Sequence, residues 1–502
     1  MDRASRLLRP ASLVALCGLL LSPGLWLGPS FDGSVYTLAG VVIDQGRMPY
    51  TNLFDNKPPG LYLLNAAGEI VLPWLDPWIV TWILTLAFTA ATALVVDLFL
   101  RRRLPPAGSY AMAALCAVGI AAHAIAYGGG LTESFAVLPL VICLLAFDRL
   151  EPSRRRAGIV ACLAGLACLT SIHAVPIAAI LVVAAIAGDR IWAEVVRRGI
   201  AAALCGAVVP LAVICWLAAR GALGDFVDQV LVYNMAYRGA SSGFGYVLPA
   251  AGLILAGLAI PMCVTVVAMV RKPRSHDATT WLCLAWVFVL TLTIGYENRL
   301  FLHYLILLVP PMVVLSGVGS RSLVAGLRSP ERGARNGAIL ATSITAFLAA
   351  LSAVTIVGLT GITMAGAGQA QAVTDQTSEW IDANTPQSAA VFVWGNDTDI
   401  YLVSKRDPYD RHIYQFPMVT PGYWSPERTA AILASWVASP PPVIVESPAS
   451  VPMFRPTPDP ATPPNYDTLA PLRDFVRAHY RLAASFGTGG GGEDVYTYMP
   501  SG

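Results

Sequence analysis

Residues 54–64 read FDNKPPGLYLL, placing an aspartate, a lysine and a Pro-Pro break at the foot of a hydrophobic run. The rest of the chain avoids charge. Of its 502 residues, 56% are hydrophobic and 13% charged, with a mean hydropathy of +0.61. Soluble domains carry about 25% charged residues, so the composition predicts an integral membrane protein. The net charge of +2 says little, and no nucleic-acid partner is expected. All nine cysteines fall inside hydrophobic runs, which predicts buried thiols and no disulfide framework. The N-terminal stretch lacks a small-x-small cleavage site and is read as an uncleaved first helix.

A bilayer span needs about 20 apolar residues. Eleven candidate spans lie near 11–28, 77–100, 109–127, 134–148, 158–171, 174–188, 199–219, 246–270, 279–296, 301–318 and 337–362. The fifth and sixth are separated only by Ser171-Ile172-His173, the spacing of a tight hairpin. With the N-terminus cytoplasmic, the inner connections hold 20 Lys and Arg and the outer loops hold five: Arg47, Lys57, Arg220, Arg238 and Arg299. The positive-inside rule therefore places FDNKPPG outside.

Two outer regions exceed mere connectors. In the first loop, residues 29–76, Pro58 and Pro59 can open a helix. Tyr62, Asn65 and Glu69 would line one face of it, with Leu61, Leu64 and Leu72 elsewhere, as in a helix lying at the membrane interface. The second region, 366–502, is polar and proline-rich. Helical stretches alternate there with the runs AVFVWG and PPVIVES, predicting a small extracytoplasmic α/β domain after a transmembrane module of residues 1–365.

Ionisable residues at mid-membrane depth mark ion or proton paths, and this chain has almost none, because Asp97, Asp148 and His123 sit near helix ends. Its polar groups gather instead in the outer loops. Asp32, Asp44, Asp55 and Lys57 stand in the first; Thr132 and Glu133 in LTESF; Asn234, Tyr237 and Arg238 in VYNMAYRG; and Glu297, Arg299, His303 and Tyr304 in GYENRLFLHY. One such charge is ordinarily a solvated loop residue. Four loops bearing carboxylate, base or cation point to a cavity at the outer leaflet.

Residues 31–65, FDGSVYTLAGVVIDQGRMPYTNLFDNKPPGLYLLN, resemble the first outer loop of the GT-C glycosyltransferases. The branch is that of protein O-mannosyltransferases, aminoarabinose lipid A transferases and RgtA/B/C/D-like enzymes. It shows an acidic residue after the first helix, a Gly-x-x-Pro-Tyr, and an Asp-x-Lys-Pro-Pro entering a helix parallel to the membrane. NRLFLHYLILLVPP is similar to its later Arg-x-x-x-His-Tyr with downstream proline, LTESF to its second acidic loop, and WGNDTDIYLVSKRDP to an outer-domain strand and turn. The chain departs from the pattern at Gly33, at Asn56, and at His173 where Lys or Arg is frequent.

The resemblance implies a GT-C fold and an inverting transfer of sugar from a polyprenyl-phosphate carrier to a glycan, lipid or protein acceptor, at a bacterial cell membrane and without cofactor or metal. Asp32 would be the general base. Lys57, Arg299 and Arg238 would hold the donor phosphate. Asp55, Glu133, His303, Tyr304, Asn234 and Tyr237 would contact substrate or orient groups that do. Arg299 and His303, four residues apart, are expected to share a face of the tenth helix. The alternative is a lipid-linked glycan transporter or flippase without transferase activity.

Overall fold

The structure is a computed structural model and describes residues 3–187, 191–237, 247–273, 277–297, 300–447, 466–487 and 492–499. The apolar stretches all fold as helices, the form in which a lipid-embedded segment satisfies its own backbone hydrogen bonds. In chain order they begin with α1 (Arg3–Leu21), α2 (Phe31–Asp44), α3 (Gly60–Val71), α4 (Pro77–Leu100), α5 (Pro106–Ala121) and the short α6 (His123–Ala126). Next come α7 (Thr132–Arg149), α8 (Arg154–Thr170), α9 (Ala174–Ile186), α10 (Trp192–Ala219), α11 (Leu223–Phe226) and α12 (Tyr233–Tyr237), the last two joined by a π-helical turn, Val227–Val232. The series of long helices ends with α13 (Val247–Arg271), α14 (Ala278–Glu297), α15 (Leu305–Leu327) and α16 (Arg332–Asn384).

Among the described residues seven helices are long and apolar enough to cross a membrane, and the protein is a multi-pass membrane protein. The remaining expected spans are α5, α7, α8 and α9. The hairpin expected at Ser171–His173 is present between α8 and α9.

Small residues let these helices approach closely, and hydroxyls tie them, as is usual where lipid supplies no hydrophobic drive between helices. Across α13 and α15, Ser316 donates to the Leu258 carbonyl at 2.8 Å and Thr265 to the Leu315 carbonyl at 2.7 Å. Between these bonds a Cβ added at Gly319 would stand 1.8 Å from the Pro261 carbonyl oxygen.

The first loop contains one helix more than expected. The α2 helix starts where Ser30 accepts a hydrogen bond from the Gly33 backbone amide at 3.2 Å, so Asp32 stands in a helical first turn. The expected interfacial helix is α3. Its polar face turns inward: Tyr62, Asn65 and Glu69 are buried, whereas Ile70 and Val71 are 67% and 68% exposed. Asn65 donates to the Tyr36 carbonyl of α2 at 2.9 Å, and Gly40 admits the approach, since a Cβ there would meet the Asn65 Cβ at 2.6 Å.

The C-terminal part is the expected α/β unit. The α16 helix runs unbroken for 53 residues from the apolar segment into the polar one. It is followed by β1 (Val391–Trp394), α17 (Asp399–Val403), α18 (Phe416–Val419), α19 (Pro426–Ala438) and β2 (Val443–Glu446). The sheet is then completed by α20 (Ala470–His479), β3 (Tyr480–Phe486) and β4 (Glu493–Tyr498). The order is β1-β2-β4-β3, with β1 parallel to β2 and the other pairs antiparallel. Every residue of β1 and β2 is buried, Glu446 at the end of β2 included, as their near-continuous apolar sequence requires of strands covered on both faces.

This domain sits on the first loop. Thr398 meets Ser34 of α2 through their hydroxyls, Arg47 pairs with Asp407 at 2.7 Å, and the Phe54 amide donates to the Arg411 carbonyl at 2.6 Å. One buried apolar cluster joins Tyr36, Tyr50, Phe54 and Tyr62 to Trp394, Tyr414 and Trp424.

Substituting Gly319→Ala overpacks α13 against α15 and is expected to cost about 1–3 kcal/mol. The melting temperature of the detergent-purified protein falls by several degrees, while Gly358→Ala, open on all sides, leaves it unchanged.

Candidate functional site

Lys57 follows a tightly held turn. Tyr50 takes a left-handed backbone (φ 67°), a conformation that costs a non-glycine residue energy and is held by its surroundings. Its hydroxyl donates to the Lys57 carbonyl at 2.8 Å, joined there by Tyr62 at 3.2 Å. Pro58 and Pro59 restrict the chain immediately beyond. The preceding Asn56 exchanges bonds with Asn234 of α12: each donates once, amide to amide oxygen at 2.8 Å and amide to backbone carbonyl at 2.8 Å. Both residues thereby face a cavity of about 70 Å³, which Lys57, His173, Tyr237, Glu297 and Tyr304 also line.

The Lys57 ammonium makes no hydrogen bond or ion pair with a described residue. Burial alone would pull its pKa down, but the carboxylates of Glu133, Asp32 and Asp55 outweigh that and hold it above the ordinary lysine value. The result is a charged ammonium with donor capacity to spare.

Beside it, His173 joins three segments distant in sequence. Its Nε2 lies 2.9 Å from Glu297 at the end of α14, and its Nδ1 lies 3.3 Å from Glu133 at the start of α7. Glu133 also accepts from Ser171 at 3.2 Å and from Thr132 at 3.0 Å. Burial disfavours the His173 imidazolium, yet the two flanking carboxylates prevail and raise its pKa. Its ring packs on Tyr304 with centroids 4.2 Å apart.

The sequence-predicted residues take distinct places. Lys57, Asn234, Tyr237 and Tyr304 line the cavity, and Glu133 reaches it through His173. Asp32 is half-buried on α2 and accepts a long bond from Tyr36 at 3.4 Å. Asp55 is committed to two tyrosines, Tyr62 and Tyr414. His303 is buried between Tyr127, Phe301 and Tyr304. Arg238 and Arg299 lie outside the described residues. The expected pairing of Arg299 with His303 on one helical face therefore lies outside the described residues as well. Leu300 and Phe301 are not helical, His303 sits in a 3₁₀ turn, and α15 starts only at Leu305.

Asn56, Ile172 and His173 were given no site role from sequence, and Glu297 was named there only among the loop charges. His173 and Glu297 are 124 positions apart and each reads locally as a helix-end residue. The one available signal was that a histidine stood in a connection of three residues between two apolar runs.

No family model matches this chain, and no curated protein matches it in sequence. Solved structures do match in fold. The chain is similar to ArnT from Cupriavidus metallidurans bound to undecaprenyl phosphate, with 12% identity and a TM-score of 0.60 over 100% of this chain and 99% of that one. It is also similar to the archaeal oligosaccharyltransferase AglB from Archaeoglobus fulgidus, in complex with an inhibitory peptide and a dolichol-phosphate. That match has 12% identity and a TM-score of 0.53 over 100% of this chain and 75% of that one. The fold is the GT-C fold that the first loop resembles.

Because the His173 pKa is raised, its bridge contributes fully below about pH 6.5 and is lost as pH rises through the higher folded-state value. Melting temperature measured against pH should fall across that window, and His173→Gln should remove the fall. A wild-type profile that stays flat from pH 6 upwards would contradict a charged bridge.

Proposed function

We propose that this chain, with its GT-C fold, is an integral membrane glycosyltransferase. It passes a sugar from a polyprenyl-phosphate donor to an extracytoplasmic acceptor, with Asp32 as general base. The observation that carries the reading is Lys57: an ammonium kept charged, on a turn stiffened by two prolines, facing a cavity with no ion pair of its own among described residues. An anionic headgroup is the complement of such a site.

Lys57 binds the phosphate of the donor, with Arg299 and Arg238 as further cations. The acceptor hydroxyl attacks the anomeric carbon, the bond from that carbon to the phosphate oxygen breaks, and its electron pair leaves with the polyprenyl phosphate. Asp32 takes the acceptor proton. A single displacement inverts the anomeric centre and needs no covalent intermediate. Glu133, held with His173 and Ser171, contacts sugar or acceptor hydroxyls.

An apolar cavity of about 390 Å³ supports a lipid-borne donor. It lies below α3, between Leu63, Phe88 of α4, Phe135 and Pro139 of α7, Leu166 of α8 and Val213 of α10. Isoprenoid units fit its chemistry. The reading orients the first loop and C-terminal domain away from the cytoplasm, on the charge asymmetry of the connections.

Two substitutions test the roles separately. Lys57→Met removes a charged donor to the phosphate, an interaction worth roughly 1.5–3 kcal/mol. The KM for the polyprenyl-phosphate sugar should therefore rise roughly 10- to 100-fold in protein that still elutes as one monodisperse species.

Asp32→Asn keeps the shape and removes the base, so kcat should drop about 10²–10⁴-fold. Near-normal kcat for Asp32→Asn together with a dead Glu133→Gln would transfer the base to Glu133. No turnover by the wild-type protein with a radiolabelled donor would favour a transporter instead.

A further inference from the structure

A second cavity, of about 230 Å³, opens in the C-terminal domain and shares no lining residue with the Lys57 cavity. One wall is the segment Asp410–His412 and the other is α19, through Arg428, Ala431 and Ser435. His412 is 5% exposed. Its Nδ1 is held by the Asp410 carboxylate, which also accepts its backbone amide at 2.8 Å. With the Nδ1 proton committed there, Nε2 presents a lone pair, and this buried atom has no partner among the described residues. A buried acceptor left unmade is costly, so such an atom marks a place where a donor from outside belongs.

The charges at this cavity select the donor's class. Arg411 is paired with Asp225 at 2.9 Å. Arg428 is paired with Asp228 at 3.1 Å and lies over the Tyr423 ring at 4.2 Å. Each guanidinium thus has its own aspartate, and Asp410 is engaged by the ring and backbone N–H groups of His412. No surplus positive charge awaits a phosphate or carboxylate. Hydrogen-bonding edges remain at His412, Arg411, Arg428 and Ser435, over apolar surface from Ile432 and Trp424. Hydroxyls around a ring with apolar C–H faces match that mixture.

The cavity is joined to the first loop. The Phe54 ring stacks on His412 with centroids 5.8 Å apart, and the Phe54 amide donates to the Arg411 carbonyl at 2.6 Å. Next to Phe54, Asp55 accepts from Tyr414 at 3.1 Å. We propose that this cavity binds a neutral sugar unit of a glycan acceptor, with His412 Nε2 accepting from one of its hydroxyls. That the sugar belongs to an acceptor rests on the transferase reading; that the cavity binds a sugar does not.

The test is saturation-transfer NMR on the purified full-length protein with the neutral trisaccharides maltotriose, cellotriose and mannotriose, and with inorganic phosphate as the competing probe. Binding of at least one trisaccharide, abolished by Ala431→Trp from the exposed side of α19 and weakened about tenfold by His412→Phe, is the expected result. Ser435→Trp replaces Ala431→Trp if that variant does not fold. Equal binding by wild type and variants, no trisaccharide binding, or displacement of a trisaccharide by phosphate would each overturn it. Turnover measured on the same preparation separates the two ideas. Turnover without trisaccharide binding sinks the cavity assignment and leaves the transferase. Trisaccharide binding lost in the variants, without turnover, upholds the cavity and removes the transferase.

Discussion

A carboxylate buried beside the membrane must find its hydrogen bonds inside the protein, and Asp55 is where this constraint shapes the molecule. Only 4% exposed, it takes one oxygen to Tyr62 of α3 and the other to Tyr414 of the C-terminal domain, while its amide donates to Gln229 at 3.0 Å. Burial pushes its carboxyl up, and both tyrosines and Lys57 oppose that. Three parts of the chain are therefore bound to one residue. The turn at Lys57, the inward polar face of α3 and the seating of the C-terminal domain follow from satisfying it.

Charge balance at the Lys57 cavity obeys the same rule. Carboxylates at Asp32, Asp55 and Glu133 surround one lysine, and His173 lies between Glu133 and Glu297, which raise its pKa. The carboxylates offset the burial that would otherwise disfavour the charged forms of Lys57 and His173. The C-terminal domain resolves its charges differently. The Thr374 hydroxyl of α16 donates to Asp399 at 3.1 Å and lies 3.4 Å from Glu493. Burial pushes these two carboxyls up to about 7 and about 8. These two groups tie α17 and β4 to α16, beside the Thr398–Ser34 contact with α2.

Much of the fold was legible in sequence because its signals are local. Apolar runs long enough to be helices, the Pro-Pro start of α3, and the β-branched runs of β1 and β2 each announce an element within a dozen residues. The α2 helix was missed. Its Ser30 cap is a short-range signal, but its apolar stretch FDGSVYTLAGVVID is too short to read as a span and was taken as loop. Of the site, Lys57, Asn234, Tyr237 and Tyr304 were named from loop chemistry and do line one cavity. His303 was expected within a regular helix, but spacing implies a face only where the backbone is helical, and Phe301 is extended with His303 in a 3₁₀ turn.

By itself the sequence determined the membrane class, the C-terminal α/β unit and the loop bearing the lysine, since hydropathy, charge and proline act over neighbouring residues. Tertiary structure alone decided which charges meet. His173 with Glu297, Asn56 with Asn234, and Asp55 with Tyr414 are separated by 124, 178 and 359 positions. No local pattern encodes such pairs, because each is selected by the cost of leaving a buried polar atom alone once the helices have packed.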